Sequence, residues 1–85
     1  MAVALAVQLS SPPVLQAALH HPDPSFIRNY ATEVFGDSQR ASTWLRSSNS
    51  SLGKVSPQRR LASGDAESMR QVLRLLIQLD YGVQA

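Results

Sequence analysis

Two adjacent histidines, His20 and His21, are the residues with the most obvious chemical potential. An imidazole can act as a general base or bind a metal ion, but either role needs further groups placed beside it. The segment His21-Pro22-Asp23-Pro24 is typical of a stiff connector, and the chain contains no cysteine that could complete a metal site. We therefore expect solvent-exposed loop histidines, with no metal site and no cofactor.

The hydroxyl and carboxyl groups do not form a catalytic motif either. Serines are numerous, but none lies in the strand–turn–helix setting of a nucleophile motif. The chain has only six acidic residues, and most of them lie where helices are predicted to begin. The sequence therefore favours a binding protein over an enzyme.

Basic residues offer a third kind of chemistry, contact with nucleic-acid phosphates. Lysine and arginine outnumber the acidic residues by eight to six, which gives a net charge of +2. They are scattered, and only Arg59 and Arg60 form a doublet, whereas DNA-binding domains usually gather basic charge on one face. A small DNA-binding transcriptional regulator that uses Lys54, Arg59 and Arg60 is retained as the alternative function.

Helix signals predict an all-α fold, a small bundle of four to five short helices that ends in a long C-terminal helix. Serine or aspartate marks a helix start, proline favours the first turn, and glycine ends a helix in the left-handed conformation. Helices are predicted to be capped by Ser11, Ser25, Asp37, Ser56, and either Ser63 or Asp65. The last helix continues to about Tyr81 and stops at Gly82. Between the third and fourth helices we expect an ordered loop in which Asn49 caps a turn.

A chain of 85 residues forms one small domain with a marginal core, so a partner or a second copy is expected to add stability. Residues 1–9 are apolar but lack a basic residue ahead of the apolar run, which argues against a signal peptide. No run of about 20 apolar residues could cross a membrane. We expect a cytoplasmic protein that does not bind membranes.

The last helix has more apolar surface than its core side needs. Core spacing is followed by Met69, Val72, Leu73, Leu76, and then Leu79 or Asp80. Leu75 and Ile77 fall outside this stripe, while Arg70 and Arg74 define the solvent-facing side. Either the N-terminal helix or a partner covers the surplus surface, and both can hold. Trp44 could be a binding hot spot, but its spacing with Ala41 and Leu45 favours a core position.

An ordered series of short motifs runs along the chain from residue 31 onward. Residues 31–37, Ala41 and Trp44-Leu45 fit the pattern A-x-E-V-F-G-D…A-x-x-W-L, which resembles the opening of the toxin-binding domain of Xre/MbcA/ParS-like antitoxins. The series continues with Asn49, Leu52-Gly53, Ser56-Pro57, Leu61, Val72, Leu76 and the closing Tyr81-Gly82-Val83. Lys54 departs from the pattern, because the family has a second glycine there. The resemblance covers residues 26–85, so residues 1–25 are interpreted as an N-terminal extension with one short helix.

The resemblance implies an antitoxin of a type II toxin–antitoxin system. Such antitoxins neutralise RES-domain toxins, which resemble ADP-ribosyltransferases and either consume NAD or use it to modify a target. They do so by covering the active-site entrance with the last helix and tail. On this chain the implied toxin-binding residues are Tyr81, Gly82, Val83, Gln84 and Ala85, approached by Arg70, Arg74, Leu75 and Ile77. The implied partner is a cognate RES-domain toxin, in a hetero-oligomer that holds one antitoxin or an antitoxin dimer. A DNA-binding helix-turn-helix domain does not fit into residues 1–25, so we do not expect operator binding by this chain alone.

Overall fold

Five α-helices and one 3₁₀ turn account for most of residues 11–82, the part of the chain that the computed structural model describes. The helices are α1 (Pro12–His20), α2 (Pro24–Phe35), α3 (Ser38–Arg46), α4 (Pro57–Ala62) and α5 (Ala66–Tyr81), and the 3₁₀ turn is Ser50–Leu52. Among the described residues there is no strand, only a single bridge between Asn49 and Val55. The all-α bundle with a long C-terminal helix is therefore confirmed.

Side-chain caps set three of the helix starts as the sequence predicts. Asp37 accepts a hydrogen bond from the backbone N–H of Gln39 at 3.1 Å, and the Ser56 hydroxyl accepts one from Arg59 at 3.2 Å. For α5 the structure decides between the two candidates, because the Asp65 carboxylate accepts the N–H of Ser68 at 3.1 Å. Each cap satisfies a backbone donor that has no partner within its helix.

Two predictions at the start of the chain are wrong in detail. Asp23, not Ser25, caps α2, and its carboxylate accepts the N–H of Phe26 at 3.2 Å. Pro24 is the first residue of the helix rather than part of the connector. Proline fits this position because its fixed φ is helical and its missing N–H would have had no partner there.

The five helices share one hydrophobic core. Its buried members are Leu15, Ala18, Ile27, Tyr30, Ala31, Ala41, Leu45, Leu52, Leu61, Met69, Val72, Leu73 and Leu76. Since α1 contributes Leu15 and Ala18, the N-terminal helix covers part of the bundle. Trp44, for which the sequence favoured a core position, is only half-buried and packs against the edge of the core.

The segment between α3 and α4 is an ordered loop, as predicted. The Asn49 side chain accepts the N–H of Ser51 at 2.9 Å and so caps the 3₁₀ turn. The guanidinium of Arg60 donates to the carbonyl oxygen of Leu52 at 2.9 Å, which fastens the loop to α4. Gly53 and Lys54 both adopt left-handed backbone conformations, with φ of 72° and 67°. Glycine adopts this conformation without strain, whereas lysine does so at a cost of about 1–2 kcal/mol.

None of the helices in residues 11–82 is long and apolar enough to span a membrane. The same residues contain no group of three or more side chains that could hold a metal ion. His20 and His21 are exposed, as predicted; His20 is the last residue of α1, and His21 is the C-cap of that helix.

Candidate functional site

The exposed surface of α5 is divided into two flanks by its buried side. Successive residues of an α-helix are rotated by about 100°, so residues three, four and seven apart share a side. The buried hydrophobic residues of α5 are Met69, Val72, Leu73 and Leu76. Leu75 and Ile77, predicted as one surplus surface, are two positions apart and therefore point about 160° away from each other. They belong to different flanks.

One flank carries Arg70, Arg74, Ile77 and Tyr81, and we call these four residues the basic flank. Their spacings of four, three and four residues place them in one row along α5. Arg74 and Tyr81 are the open members, because the Arg74 side chain is 56% exposed and Tyr81 is 52% exposed. Ile77 is half-buried and packs against the core. Four predicted site residues therefore share this surface.

Arg70 does not face solvent in the way that the sequence predicted. Its side chain is only 28% exposed, and its Nε donates a hydrogen bond to the carbonyl oxygen of Leu19 at 2.6 Å. The last carbonyl groups of a helix lack donors within that helix, and Arg70 supplies one to α1. Arg70 thus joins α1 to α5 and has less freedom than Arg74 to contact a partner.

Glu67 holds the two arginines of this flank in place. It lies in the first turn of α5, and its carboxylate oxygens are 3.1 Å from an Arg70 nitrogen and 3.4 Å from an Arg74 nitrogen. Exposed ion pairs of this kind contribute little to stability, typically under about 1 kcal/mol. Their effect here is to orient the guanidinium groups, so Arg74 can exchange its contact with Glu67 for one with a partner at low cost.

The second flank, which we call the apolar flank, carries Leu75 and Leu79. Leu75 is half-buried, whereas Leu79 is 50% exposed. The sequence placed either Leu79 or Asp80 in the core stripe, and the structure shows that Leu79 is outside it. Helical geometry explains the outcome, because Asp80 lies closer than Leu79 to the centre of the buried side.

The last turn of α5 is attached to α2 by a hydrogen bond between residues 50 positions apart. Tyr30 is fully buried, and its hydroxyl donates to the carboxylate of Asp80 at 2.8 Å. Burial, reinforced by the hydrogen bond to Asp80 and the charge of that carboxylate, raises the pKa of Tyr30 well above its usual value. The contact fixes the position of Tyr81, the next residue. The sequence interpretation missed it, although an acidic residue at a core-spaced position was a signal for it.

Gly82 ends α5 in the left-handed conformation, with φ of 69°, as predicted. Val83, Gln84 and Ala85, the remaining predicted site residues, lie outside the described residues. The exposed part of the site within residues 11–82 is therefore the C-terminal half of α5, where Arg74, Leu79 and Tyr81 are open to a partner.

The arginine doublet considered for DNA binding is divided by the fold. Arg59 is exposed, but Arg60 is half-buried and donates to the carbonyl oxygen of Leu52 and to the hydroxyl of Ser68. A guanidinium committed to internal acceptors is a poor phosphate ligand. Of the three residues considered for DNA binding, only Lys54 and Arg59 remain exposed, and two cations are too few to form a basic face.

Comparison with known proteins identifies the domain. No curated protein and no solved structure matches the chain significantly. Residues 31–82 match the family described as the antitoxin Xre/MbcA/ParS C-terminal toxin-binding domain. The matched region begins within α2 and contains the whole of α5 with its two flanks. Because the match spans more than half of the 85 residues, the chain belongs to the family of Xre/MbcA/ParS antitoxin C-terminal toxin-binding domains.

Proposed function

We propose that this protein is the antitoxin of a type II toxin–antitoxin system and neutralises a RES-domain toxin by binding it and occluding its active site. The toxin would be an NAD-consuming enzyme that resembles ADP-ribosyltransferases, and the antitoxin would act on it in the cytoplasm without catalysing a reaction. The observation that carries the proposal is the open C-terminal half of α5 in a member of a toxin-binding family.

The composition of this surface supports a protein partner. Tyrosine and arginine are enriched at the energetic centres of protein interfaces, because each combines a large contact area with directional polar groups. Tyr81 and Arg74 have both properties and are more than half exposed. The Tyr30–Asp80 hydrogen bond holds the last turn in place before a partner arrives, which lowers the entropic cost of binding.

In this proposal residues 26–85 form the toxin-binding domain, and residues 1–25 are an N-terminal extension. The basic flank contacts the rim of the toxin's active site, with Arg74 and Tyr81 as the main contacts. Val83, Gln84 and Ala85 follow Gly82 directly and would enter the active-site cleft. The functional unit is a hetero-oligomer with the toxin that contains either one antitoxin or an antitoxin dimer.

Co-expression with a candidate RES-domain toxin from the same source tests the proposal. The full chain should restore growth, and purified toxin should lose NAD consumption when it is added. A chain that ends at Gly82 should protect poorly, because the tail is missing. This truncation retains Asp80 and the hydrogen bond from Tyr30, so its circular dichroism spectrum and melting temperature should match those of the full chain.

The controls separate binding from occlusion. If the full chain neither binds the toxin nor restores growth, the proposed function is wrong. If the chain ending at Gly82 protects as well as the full chain, the toxin is neutralised without residues 83–85. If that chain binds tightly but leaves the NAD consumption intact, the flank binds the toxin and the tail alone blocks the active site.

A further inference from the structure

A second open surface lies away from the flanks of α5, at the junction of α2 and α3. It is a groove of about 470 Å³ lined by Phe35, Gln39, Arg40, Thr43, Trp44 and Ser47. The rings of Phe35 and Trp44 pack against each other with centroids 5.7 Å apart and an angle of 43° between their planes. Both aromatic residues are half-buried, so the pair presents an apolar surface to solvent.

A guanidinium without an ion-pair partner lies beside this aromatic pair. Arg40 is exposed and makes no ion pair or side-chain hydrogen bond within residues 11–82. Helix α3 contains no acidic residue, and the carboxylate of Asp37, its N-cap, accepts the N–H of Gln39 and forms no ion pair with Arg40. The groove therefore combines an exposed aromatic surface with a guanidinium that is available to a carboxylate of a ligand.

The turn between α2 and α3 makes this groove a fixed feature of the fold. Gly36 adopts φ of 70° and is followed at once by the Asp37 cap, so only these two residues separate α2 from α3. Ala41 and Leu45 anchor the buried side of α3 in the core. Phe35, Arg40 and Trp44 are consequently held on rigid elements, and no large rearrangement is needed to expose them.

We infer that the α2–α3 groove is a second docking surface, which binds an acidic peptide segment through an apolar side chain on the Phe35–Trp44 pair and a carboxylate on Arg40. Aromatic pairs supply contact area, and a guanidinium binds a carboxylate through two parallel hydrogen bonds. The groove between α1 and α2 is larger, about 530 Å³, but none of the residues that line it is an acid, a lysine or an arginine. Charge complementarity therefore selects the α2–α3 groove and an acidic ligand.

Trp44 is the only tryptophan of the chain, so its fluorescence reports directly on this groove. The probe is an acetylated and amidated peptide of sequence Gly-Glu-Leu-Glu-Gly, and the control peptide has lysine in place of both glutamates. At low ionic strength the acidic peptide should change the Trp44 fluorescence saturably and shift the backbone amide resonances of residues 35–47. The lysine peptide should do neither, because it meets like charge.

Two matched variants test the role of Arg40. Arg40→Ala should weaken binding of the acidic peptide by about fivefold, the upper range for a single exposed ion pair. Arg46→Ala removes the same charge from α3 at an exposed residue that does not line the groove, and it should weaken binding less than about twofold. Both titrations use the full chain without any toxin, so their outcome is independent of the proposed antitoxin function.

Three outcomes would overturn the inference. The lysine peptide could bind as tightly as the acidic one, which would show that the groove selects apolar groups alone. The acidic peptide could shift the resonances of α1 and the start of α2 instead of residues 35–47. The Trp44 fluorescence could change with protein concentration when no peptide is present, which would make a second copy of this chain the occupant.

Discussion

The two flanks of α5 lie on the same helix and differ in the contacts that fix their side chains. The basic flank is oriented by polar contacts, because Arg70 donates to α1 and both Arg70 and Arg74 pair with Glu67. The apolar flank has only the packing of Leu75 against the core and the half-exposed side chain of Leu79. Tyr81 and Leu79 are almost equally exposed, at 52% and 50%. Exposure alone therefore does not identify the partner-binding side, whereas orientation by polar contacts favours the basic flank.

The largest effect on toxin affinity is expected when one exposed side chain of each flank is replaced by alanine in separate variants. Tyr81→Ala should weaken toxin binding by about thirtyfold, roughly 2 kcal/mol, which is the loss typical of an interface hot spot. Leu79→Ala is the matched control, because it removes an equally exposed side chain from the other flank, and its affinity should stay within about threefold of the full chain. Isothermal titration calorimetry with the purified toxin measures both.

The opposite result would reverse the comparison. If Leu79→Ala lost the affinity and Tyr81→Ala kept it, the toxin would bind the apolar flank. Equal losses would mean that the toxin surrounds the end of α5. Circular dichroism should show unchanged helicity for both variants, since neither side chain is buried.

A smaller effect, on stability, is expected from removing the hydrogen bond that attaches the last turn of α5 to α2. Tyr30→Phe keeps the ring in the core, including its stacking on Phe26 with centroids 6.2 Å apart, but removes the hydrogen bond to Asp80. The free energy of unfolding should fall by about 1.5 kcal/mol, as for other hydrogen bonds to charged groups. Urea denaturation measures this loss, and amide hydrogen exchange should become faster in residues 79–82 than in the rest of α5. Uniformly faster exchange would instead indicate a weakened core.

The burial of Tyr30, reinforced by its hydrogen bond to Asp80, predicts a dependence of stability on alkaline pH. The pKa of Tyr30 is raised in the folded protein, so this tyrosine stays neutral at pH values at which the unfolded chain ionises. Its contribution to stability is complete below pH of about 10 and decreases as the pH rises above that value. Tyr30→Phe should remove this decrease, and denaturation curves on both sides of pH 10 measure the difference.

The smallest effect is expected far from both flanks, at Lys54. The left-handed backbone of this residue, φ 67°, costs lysine about 1–2 kcal/mol, and glycine recovers part of it at the expense of a more flexible unfolded chain. Lys54→Gly should therefore raise the free energy of unfolding by about 0.5–1 kcal/mol. Toxin binding should not change. Lys54→Ala is the control, because it removes the same charge without relieving the strain, and equal stabilisation by alanine would refute this explanation.

Local signals in the sequence predicted much of the fold. Asp37, Ser56 and Gly82 mark helix ends through interactions within a few residues, and such interactions depend little on the rest of the molecule. The one misplaced cap, Ser25 instead of Asp23, arose because two candidate caps flank Pro24. The surplus of apolar residues on α5 was also visible, since it follows from helical spacing alone.

The candidate site was only partly predictable, because its parts are joined by contacts between distant residues. Arg70 has the spacing of a solvent-facing residue, yet Leu19, 51 positions earlier, accepts its hydrogen bond. Arg60 similarly forms a basic doublet with Arg59 in the sequence, which predicts an exposed side chain. In the fold its guanidinium donates hydrogen bonds to Leu52 and Ser68. Charged side chains on helices are long enough to reach a neighbouring element, and helical periodicity does not indicate whether one is present.

The sequence by itself determined that this protein is an all-α bundle, because helix caps and apolar spacing are local properties. It also determined that the last helix carries more apolar residues than its core-facing side requires. It also carried the family motifs that residues 31–82 share with antitoxin toxin-binding domains. Only the tertiary structure decided that Arg70 is bound to α1 through the carbonyl oxygen of Leu19. It alone joined Tyr30 to Asp80, since a hydrogen bond between residues 50 positions apart requires that α2 and α5 already be packed together.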